Sequence, residues 1–223
     1  MSVALIADQT VDMAFVFFCL LAYLWGSVPF SYWIPAKLKG VNVTRIGSGN
    51  VGAGNVVFAT NFKIGTLCFV LDLIKGFSVG LGMLIWFHSD PLMVLPAFCV
   101  LFGHTFSVFL RFKGGKGVAT SLGVILAHSP LLFCLLLATA IGIALLTKYV
   151  TLGTIGSFIL YSSIGFLFLP QPTLVLLWSM AAFIAAMHTD NYRRLLAGTE
   201  FRLSDREKTP SQNQSDESED HKA

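Results

Sequence analysis

Two short segments of this chain combine glycine with groups that bind phosphate. In segment 45–55, Arg-Ile-Gly-Ser-Gly-Asn-Val-Gly-Ala-Gly-Asn, residues without a Cβ let successive N–H groups turn toward one anion. In segment 112–117, Phe-Lys-Gly-Gly-Lys-Gly, two lysines flank a Gly-Gly turn and can place ammonium groups on a phosphate. We therefore predict a phosphate-binding site that uses these residues: Arg45, Gly47, Gly49, Asn50, Gly52, Asn55, Lys113 and Lys116.

Neither segment is a complete nucleotide-binding motif. Residues 47–52 fit the pattern G-x-G-x-x-G, but no predicted strand precedes them, as a dinucleotide-binding unit requires. Lys116 is followed by Gly117, where a Walker A motif needs Ser or Thr. The simpler alternatives are a flexible loop for the first segment and a positively charged membrane anchor for the second. The polar residues between the glycines favour ligand binding.

The composition places both segments at the edge of a membrane. Of the 223 residues, 55% are hydrophobic and 12% are charged, and the mean hydropathy is +0.73. Soluble domains have about 25% charged residues, so we expect lipid to surround most of this chain. We predict an all-α integral membrane protein with one transmembrane domain over residues 1–203. Residues 204–223 are polar and charged with almost no apolar side chains, which predicts a disordered cytoplasmic tail.

Hydropathy divides the domain into about seven spans, because an apolar helix of about 20 residues crosses a bilayer. The predicted spans are 13–36, 64–87, 92–110, 118–127, 131–147, 150–169 and 173–187. The piece at 118–127 is too short to cross alone at about 1.5 Å per residue, so we expect it to be tilted, extended by its flanks or re-entrant. A short turn over residues 88–91 separates the second and third spans.

The basic residues fix the predicted orientation. With the N-terminus outside, the segments 37–63, 111–116, 148–149 and 188–223 face the cytoplasm, and they contain four, three, one and six Lys or Arg residues. The outside segments contain none. The positive-inside rule therefore predicts a cytoplasmic C-terminus and puts both glycine-rich segments at the cytoplasmic face.

Polar residues within or next to the spans add candidate functional groups. Asp72 and Lys75 lie three residues apart on one helical face, and each is costly alone in hydrocarbon, so we expect them to form an ion pair. His104 is interpreted as a hydrogen-bonded packing residue. His188 ends the last span one turn before Asn191, and both side chains would face the glycine-rich segments.

The cysteines predict neither a disulfide framework nor a metal site. They all lie in apolar stretches without zinc-ligand spacing, and buried free cysteine usually packs as a small hydrophobic residue. The four are Cys19, Cys68, Cys99 and Cys134. We expect no metal, no cofactor and no nucleic acid partner.

In this order and spacing, the segments resemble the acyl-phosphate-dependent glycerol-3-phosphate acyltransferases of bacterial membranes, the PlsY family. The resemblance covers nearly everything from Gly26 to Leu203. Besides the two glycine-rich segments, it rests on residues 26–30, 36–40, 72–76, 103–104, 149–154, 188–191 and 195–199.

The resemblance implies transfer of a fatty acyl group from acyl phosphate to the sn-1 hydroxyl of glycerol 3-phosphate, giving lysophosphatidic acid and phosphate. By matching positions, it assigns Ser48, Thr154, His188 and Asn191 to glycerol 3-phosphate and the reaction, and Lys116 with the glycine-rich loop to phosphate. It also implies a bacterial inner membrane location, an active site toward the cytoplasm, and a functional link to an enzyme that makes acyl phosphate. Because an acyl phosphate is already activated, positioning and charge neutralisation matter more than a strong nucleophile.

This chain departs from the family pattern near the first segment. Gly54 stands where the family usually has Thr, and Phe58 stands where it usually has Arg. Phe58 therefore removes a cation expected at a phosphate, and we expect Arg45 or Lys63 to compensate.

Two other functions stay open from the sequence: a transporter of an anionic phosphorylated metabolite, and an inactive homologue. Transporters often have polar or broken-helix features near the membrane midplane and internal repeats. Here the polar segments crowd one interface, which favours an enzyme.

Overall fold

The computed structural model describes residues 13–86 and 94–203, and every regular element in these ranges is helical. The α-helices are α1 Met13–Ser27, α2 Phe30–Lys39, α3 Ala53–Ala59, α4 Phe62–Trp86, α5 Val94–Thr105, α6 Val118–His128, α7 Pro130–Thr147, α8 Val150–Gly165, α9 Gln171–Met187 and α10 Thr189–Leu196. Short 3-10 helices lie at Val43–Arg45 and Val108–Leu110. The prediction of an all-α protein is confirmed. The predicted turn at 88–91 and the tail at 204–223 lie outside the described residues.

Within those ranges, three stretches are long and apolar enough to cross a membrane alone, namely Met13–Lys39, Phe62–Trp86 and Pro130–Thr147. The pair α9 and α10, bent by 57°, gives a fourth candidate. The remaining apolar helices are shorter: Val94–Leu110, Val118–His128 and Val150–Gly165. The count of about seven spans and the outside N-terminus stay predictions.

The first predicted span is broken at Val28 and Pro29, where α1 ends and α2 begins. Proline has no N–H and disfavours helical backbone in the residue before it, which explains the position of the break. The carbonyls freed there accept hydrogen bonds from a side chain of α4 and from Ser107, which follows α5. Lys75 Nζ donates to Val28 O at 2.8 Å, and Ser107 Oγ donates to Ser27 O at 2.5 Å.

The most extensive helix contacts are those of α4 with α6, α1 with α5, and α7 with α8. Glycines at these crossings let backbones touch. A Cβ at Gly76 of α4 would overlap with Thr120 O of α6, and a Cβ at Gly123 of α6 would overlap with Leu73 O of α4. Small residues bring membrane helices together in this way, because close van der Waals contact replaces the hydrophobic effect inside lipid.

The apolar core lies among α4, α5, α6, α8 and α9, and α7 contributes Leu132 and Leu136 to it while most of its other side chains lie outward. Val100, Leu136 and Met180 are fully buried, and Leu146 of α7 is 86% exposed. A long apolar helix with an exposed apolar face fits contact with lipid, because soluble proteins rarely expose a large contiguous apolar patch.

Gly123→Ala should lower the free energy of unfolding by about 1–3 kcal/mol, because the added methyl group overlaps with the backbone of α4. Thermal unfolding in detergent measures the effect.

Gly142→Ala in α7 is the matched control, since a Cβ there meets open space. It should leave stability unchanged or raise it, by up to about 1 kcal/mol. Equal effects of the two substitutions would contradict close backbone packing of α4 on α6.

Candidate active site

One cavity of about 410 Å³ has a polar end and an apolar end. The polar end lies among the first glycine-rich segment, the residues that precede α6, and the chain around α10. The apolar end lies among α4, α6, α7 and α8. The predicted site residues that line it are Ser48, Asn50, Gly52, Asn55, Lys116, Thr154, His188 and Asn191.

Four predicted residues do not line this cavity: Arg45, Gly47, Gly49 and Lys113. Arg45 and Lys113 have exposed side chains. Gly47 and Gly49 have φ angles of 58° and 68°, the left-handed region that favours glycine. These two glycines therefore shape the turn that presents Ser48 and Asn50, rather than forming a wall of the cavity.

Asn55 stabilises the first segment from within. Its Nδ2 donates to Val43 O at 2.8 Å and to Ile46 O at 3.1 Å, and its Oδ1 accepts from Ser48 N at 3.0 Å. Both hydrogens of the amide are thus used inside the loop. Asn55 holds Ser48 in position, and its side chain is not free to donate to a ligand.

Lys116 and Asn191 connect the second segment to α10. Lys116 Nζ donates to Asn191 Oδ1, and Asn191 Nδ2 donates to Thr151 Oγ1 at 2.9 Å and to Glu200 Oε1 at 2.5 Å. The structure thus brings Lys116 and Asn191 into contact, and Thr154 and His188 line the same cavity. Asn191 fixes the direction of the lysine as it enters the cavity.

Glu200 also lines the cavity, and the sequence analysis did not select it. Its carboxylate accepts from Thr151 Oγ1 at 2.5 Å and from Arg194 Nε at 2.8 Å, and it is buried. Burial acts to raise the pKa of Glu200, but hydrogen bonds from Thr151, Asn191 and Arg194 outweigh it and hold the pKa below its ordinary value. The sequence signal was a carboxylate six residues after Arg194 in a short basic segment.

The Lys116 ammonium is easier to deprotonate than an ordinary lysine. Burial, together with the nearby Arg194 cation, lowers its pKa from 10.5 to about 8, against the opposing effect of Glu200 and Asp190. A lysine of this kind is poorly solvated when charged. An anion in the cavity would replace the missing solvation, so the site favours an anionic ligand.

His188 lies just past the end of α9, and its ring orientation is set by the backbone. Nδ1 lies 2.7 Å from Ile184 O. Because a carbonyl oxygen only accepts, Nδ1 carries the hydrogen and Nε2 is left as an acceptor. Its partner is a backbone carbonyl rather than a carboxylate, so His188 differs from the histidine of a Ser-His-Asp triad.

The apolar end of the cavity opens toward the outer face of α7. Ile141 and Leu145 both line it, and they are 51% and 58% exposed. Leu136 and Phe158 also line the cavity but are buried, with exposed fractions of 0% and 2%. An alkyl chain can therefore pass between the polar end and the lipid-facing surface.

Phe58 forms part of an aromatic wall at the polar end. Its ring lies 5.3 Å from the Phe201 ring, edge to face, and both residues line the cavity. Arg45 and Lys63, expected to replace a cation at position 58, are exposed and do not line the cavity. Among the described residues that line it, Lys116 is the one lysine or arginine.

Comparison with known proteins identifies the family. A family model described as glycerol-3-phosphate acyltransferase matches residues 16–198. The chain belongs to this family. A glycerol-3-phosphate acyltransferase from Thermotoga petrophila is 39% identical over 193 residues, which cover 86% of this chain and 98% of the relative. One from Aquifex aeolicus is 41% identical over 195 residues, covering 86% and 100% of the two chains.

The fold is also similar to crystal structures of PlsY (YgiH), an integral membrane glycerol 3-phosphate acyltransferase. Its glycerol 3-phosphate form matches with a TM-score of 0.79 and 40% identity, over 84% of this chain and 94% of that one. Its lysophosphatidic acid form matches with a TM-score of 0.77. The predictions of the PlsY family and of an acyltransferase are confirmed.

Glu200→Gln should destabilise the polar end by about 2 kcal/mol, because a neutral amide loses charge-assisted hydrogen bonds to Arg194 and Thr151. Thermal unfolding of the purified protein measures the loss.

Asp190→Asn is the control, because the Asp190–Arg193 pair at 3.7 Å is solvent exposed. Such a pair contributes about 0–1 kcal/mol. If both variants melted like the wild type, the buried network around Glu200 would not stabilise the fold.

Proposed function

We propose that the chain transfers a fatty acyl group from an acyl phosphate to the sn-1 hydroxyl of glycerol 3-phosphate, giving lysophosphatidic acid and inorganic phosphate. The observation that carries the proposal is that one cavity joins Lys116 and His188 to an apolar channel open on the outer face of α7. Only an amphiphile with an anionic head makes use of both ends. Membership of the glycerol-3-phosphate acyltransferase family supports glycerol 3-phosphate as the acceptor.

In this mechanism the sn-1 oxygen attacks the acyl carbon directly. The carbon–oxygen bond to phosphate breaks, the new ester bond forms, and the hydroxyl proton leaves with the phosphate. Lys116 neutralises phosphate charge, and its position depends on Asn191. His188 Nε2 accepts the hydrogen bond of the attacking hydroxyl and orients it. Ser48 and Thr154 supply further hydroxyl contacts at the cavity wall.

The site would face the cytoplasm of a bacterial inner membrane. The predicted threading puts all the Lys and Arg residues outside the spans on one side of the membrane, together with both glycine-rich segments, and this asymmetry supports the orientation. Glycerol 3-phosphate is water-soluble, while the acyl donor and the product are lipids. A site at the interface would take one substrate from each phase, and a separate enzyme would have to supply the acyl phosphate.

The purified protein in detergent should form lysophosphatidic acid from palmitoyl phosphate and labelled glycerol 3-phosphate. Palmitoyl-CoA, tested as the control donor, should give none, because the mechanism uses phosphate as the leaving group. Product from palmitoyl-CoA alone would assign a different donor. A folded protein inactive with both donors would contradict the proposal and favour a transport assay in sealed vesicles.

Lys116 should impose an alkaline limit on the reaction. Its pKa of about 8 means that the ammonium is present below that pH and is lost above it. We expect kcat/KM to fall as pH rises through about 8, since kcat/KM reports the free enzyme.

Lys116→Arg provides the matched control, because arginine stays charged and the alkaline fall should disappear from the accessible range. Lys116→Ala should reduce turnover on the order of 10²-fold at neutral pH while leaving membrane insertion intact. Wild-type rates from Lys116→Ala would refute the role of this lysine.

A further inference from the structure

Three ionisable side chains that the mechanism above does not use form a buried cluster at the polar end, and two of them, Asp72 and His104, also line the cavity. Lys75 Nζ lies 2.8 Å from Asp72 Oδ1 and 3.3 Å from His104 Nδ1. Asp72 and Lys75 are each 1% exposed, and His104 is 8% exposed. The predicted Asp72–Lys75 ion pair is thus confirmed. The cluster extends further, because the pair also contacts the imidazole.

The cluster fixes the His104 ring. Lys75 also donates to Gly26 O at 3.1 Å and Val28 O at 2.8 Å, and Asp72 Oδ2 accepts from Ser31 Oγ at 2.7 Å. Lys75 and Asp72 are therefore both held by hydrogen bonds to residues at the break between α1 and α2. An ammonium group only donates, so Nδ1 of His104 faces it without a hydrogen, and Nε2 carries the hydrogen on the opposite edge.

The Nε2 edge of His104 lies where the two glycine-rich segments meet. A Cβ at Gly115 would overlap both with His104 Nε2 and with Val51 O of the first segment. The backbone of the second segment is bonded to the end of α5 as well. Gly114 N donates to Thr105 O at 2.8 Å, and Gly115 N donates to His104 O at 3.1 Å. The imidazole therefore packs against the backbone of Gly115, the residue immediately before Lys116.

We propose that His104 is a positioning residue for Lys116, held by the Asp72–Lys75 pair, and that its Nε2 edge sets the path of Gly114 and Gly115. This path directs the Lys116 side chain to Asn191 and into the cavity. The inference deepens the proposed function, on which it rests for the identity of the phosphate substrate. The placement of Lys116 itself is a property of the fold and can be measured without turnover.

Two substitutions separate the edges of the ring. In His104→Asn, the amide oxygen can replace Nδ1 as the acceptor for Lys75, but the side chain no longer reaches Gly115. In His104→Gln, the longer side chain reaches the Gly115 position. If the Nε2 edge supports the segment, the first variant should release Lys116 from its buried position and the second should largely retain it.

The experiment is competitive labelling of lysines with acetic anhydride across pH, followed by mass spectrometry of the peptides. In the wild type, Lys116 should react with a midpoint near 8. In His104→Asn we expect the midpoint to move toward the ordinary lysine value of 10.5, because Lys116 gains water. Lys113, exposed and three residues away, is the internal control and should not move in any variant.

His128→Asn is the matched control substitution. His128 contacts Thr173 at 2.7 Å, ten residues beyond the start of α6, and its loss should leave the Lys116 midpoint unchanged. An unchanged Lys116 midpoint in His104→Asn would overturn the proposal. Shifts of equal size in the Asn and Gln variants would overturn the role of the Nε2 edge.

If His104→Asn does not fold, Gly115→Ala tests the same contact from the other side. Its methyl group would displace the segment from His104 and Val51 while leaving the ion pair intact, and Gly142→Ala is its control. Acyl transfer is measured in parallel, where His104→Asn should lose on the order of 10²-fold in kcat/KM. A wild type inactive with acyl phosphate would refute the proposed function, whereas the labelling result would still decide the role of His104.

Discussion

The structure depends on how a broken helix satisfies its backbone inside a membrane. Unpaired carbonyls in hydrocarbon each cost several kcal/mol, and the break between α1 and α2 frees a group of them. Lys75 and Ser107 donate to these carbonyls from α4 and the end of α5. Asp72 lies 2.8 Å from the ammonium group and offsets the free-energy cost of burying the lysine there. One ion pair therefore joins three helices at the level of the polar cavity.

The glycine-rich segments at the polar end have the composition of flexible loops, but hydrogen bonds hold them in one conformation. Asn55 uses its whole amide to hold the first glycine-rich segment, and the second is bonded to the end of α5. Glu200 connects α8 to α10 through Thr151 and Arg194. Preorganisation of this kind would suit the proposed reaction, in which the acyl phosphate is already activated, because the protein then needs mainly to position the substrates and neutralise charge.

Local composition predicted much of this architecture. The apolar runs predicted the helices, and the free-energy cost of a lone charge in lipid predicted the Asp72–Lys75 pair. Spacing could not distinguish glycines that shape a turn from residues that line a cavity, as Gly47 and Gly49 show. Nor could it show which cations point inward: Arg45 and Lys113 are exposed, whereas Lys116 enters the cavity.

The residues that escaped prediction depend on contacts between distant segments. Glu200 was missed because its partners Thr151 and Asn191 lie 49 and nine residues away. His104 was interpreted as a hydrogen-bonded packing residue, and its buried ring does contact Lys75. The local sequence could not show that Gly115 packs against the Nε2 edge of this ring. Such juxtapositions arise only when helices pack.

The opening of the cavity on the outer face of α7 has a consequence for kinetics. A substrate that enters between Ile141 and Leu145 comes from the bilayer, so its encounter rate is governed by its mole fraction among the surrounding lipids. Adding lipid or detergent would then lower the rate by lowering the mole fraction of this substrate, whereas adding buffer would leave that mole fraction unchanged. The product, still held by its chain, would diffuse away in two dimensions. The enzyme would thus obey surface dilution for one substrate and ordinary solution kinetics for the other.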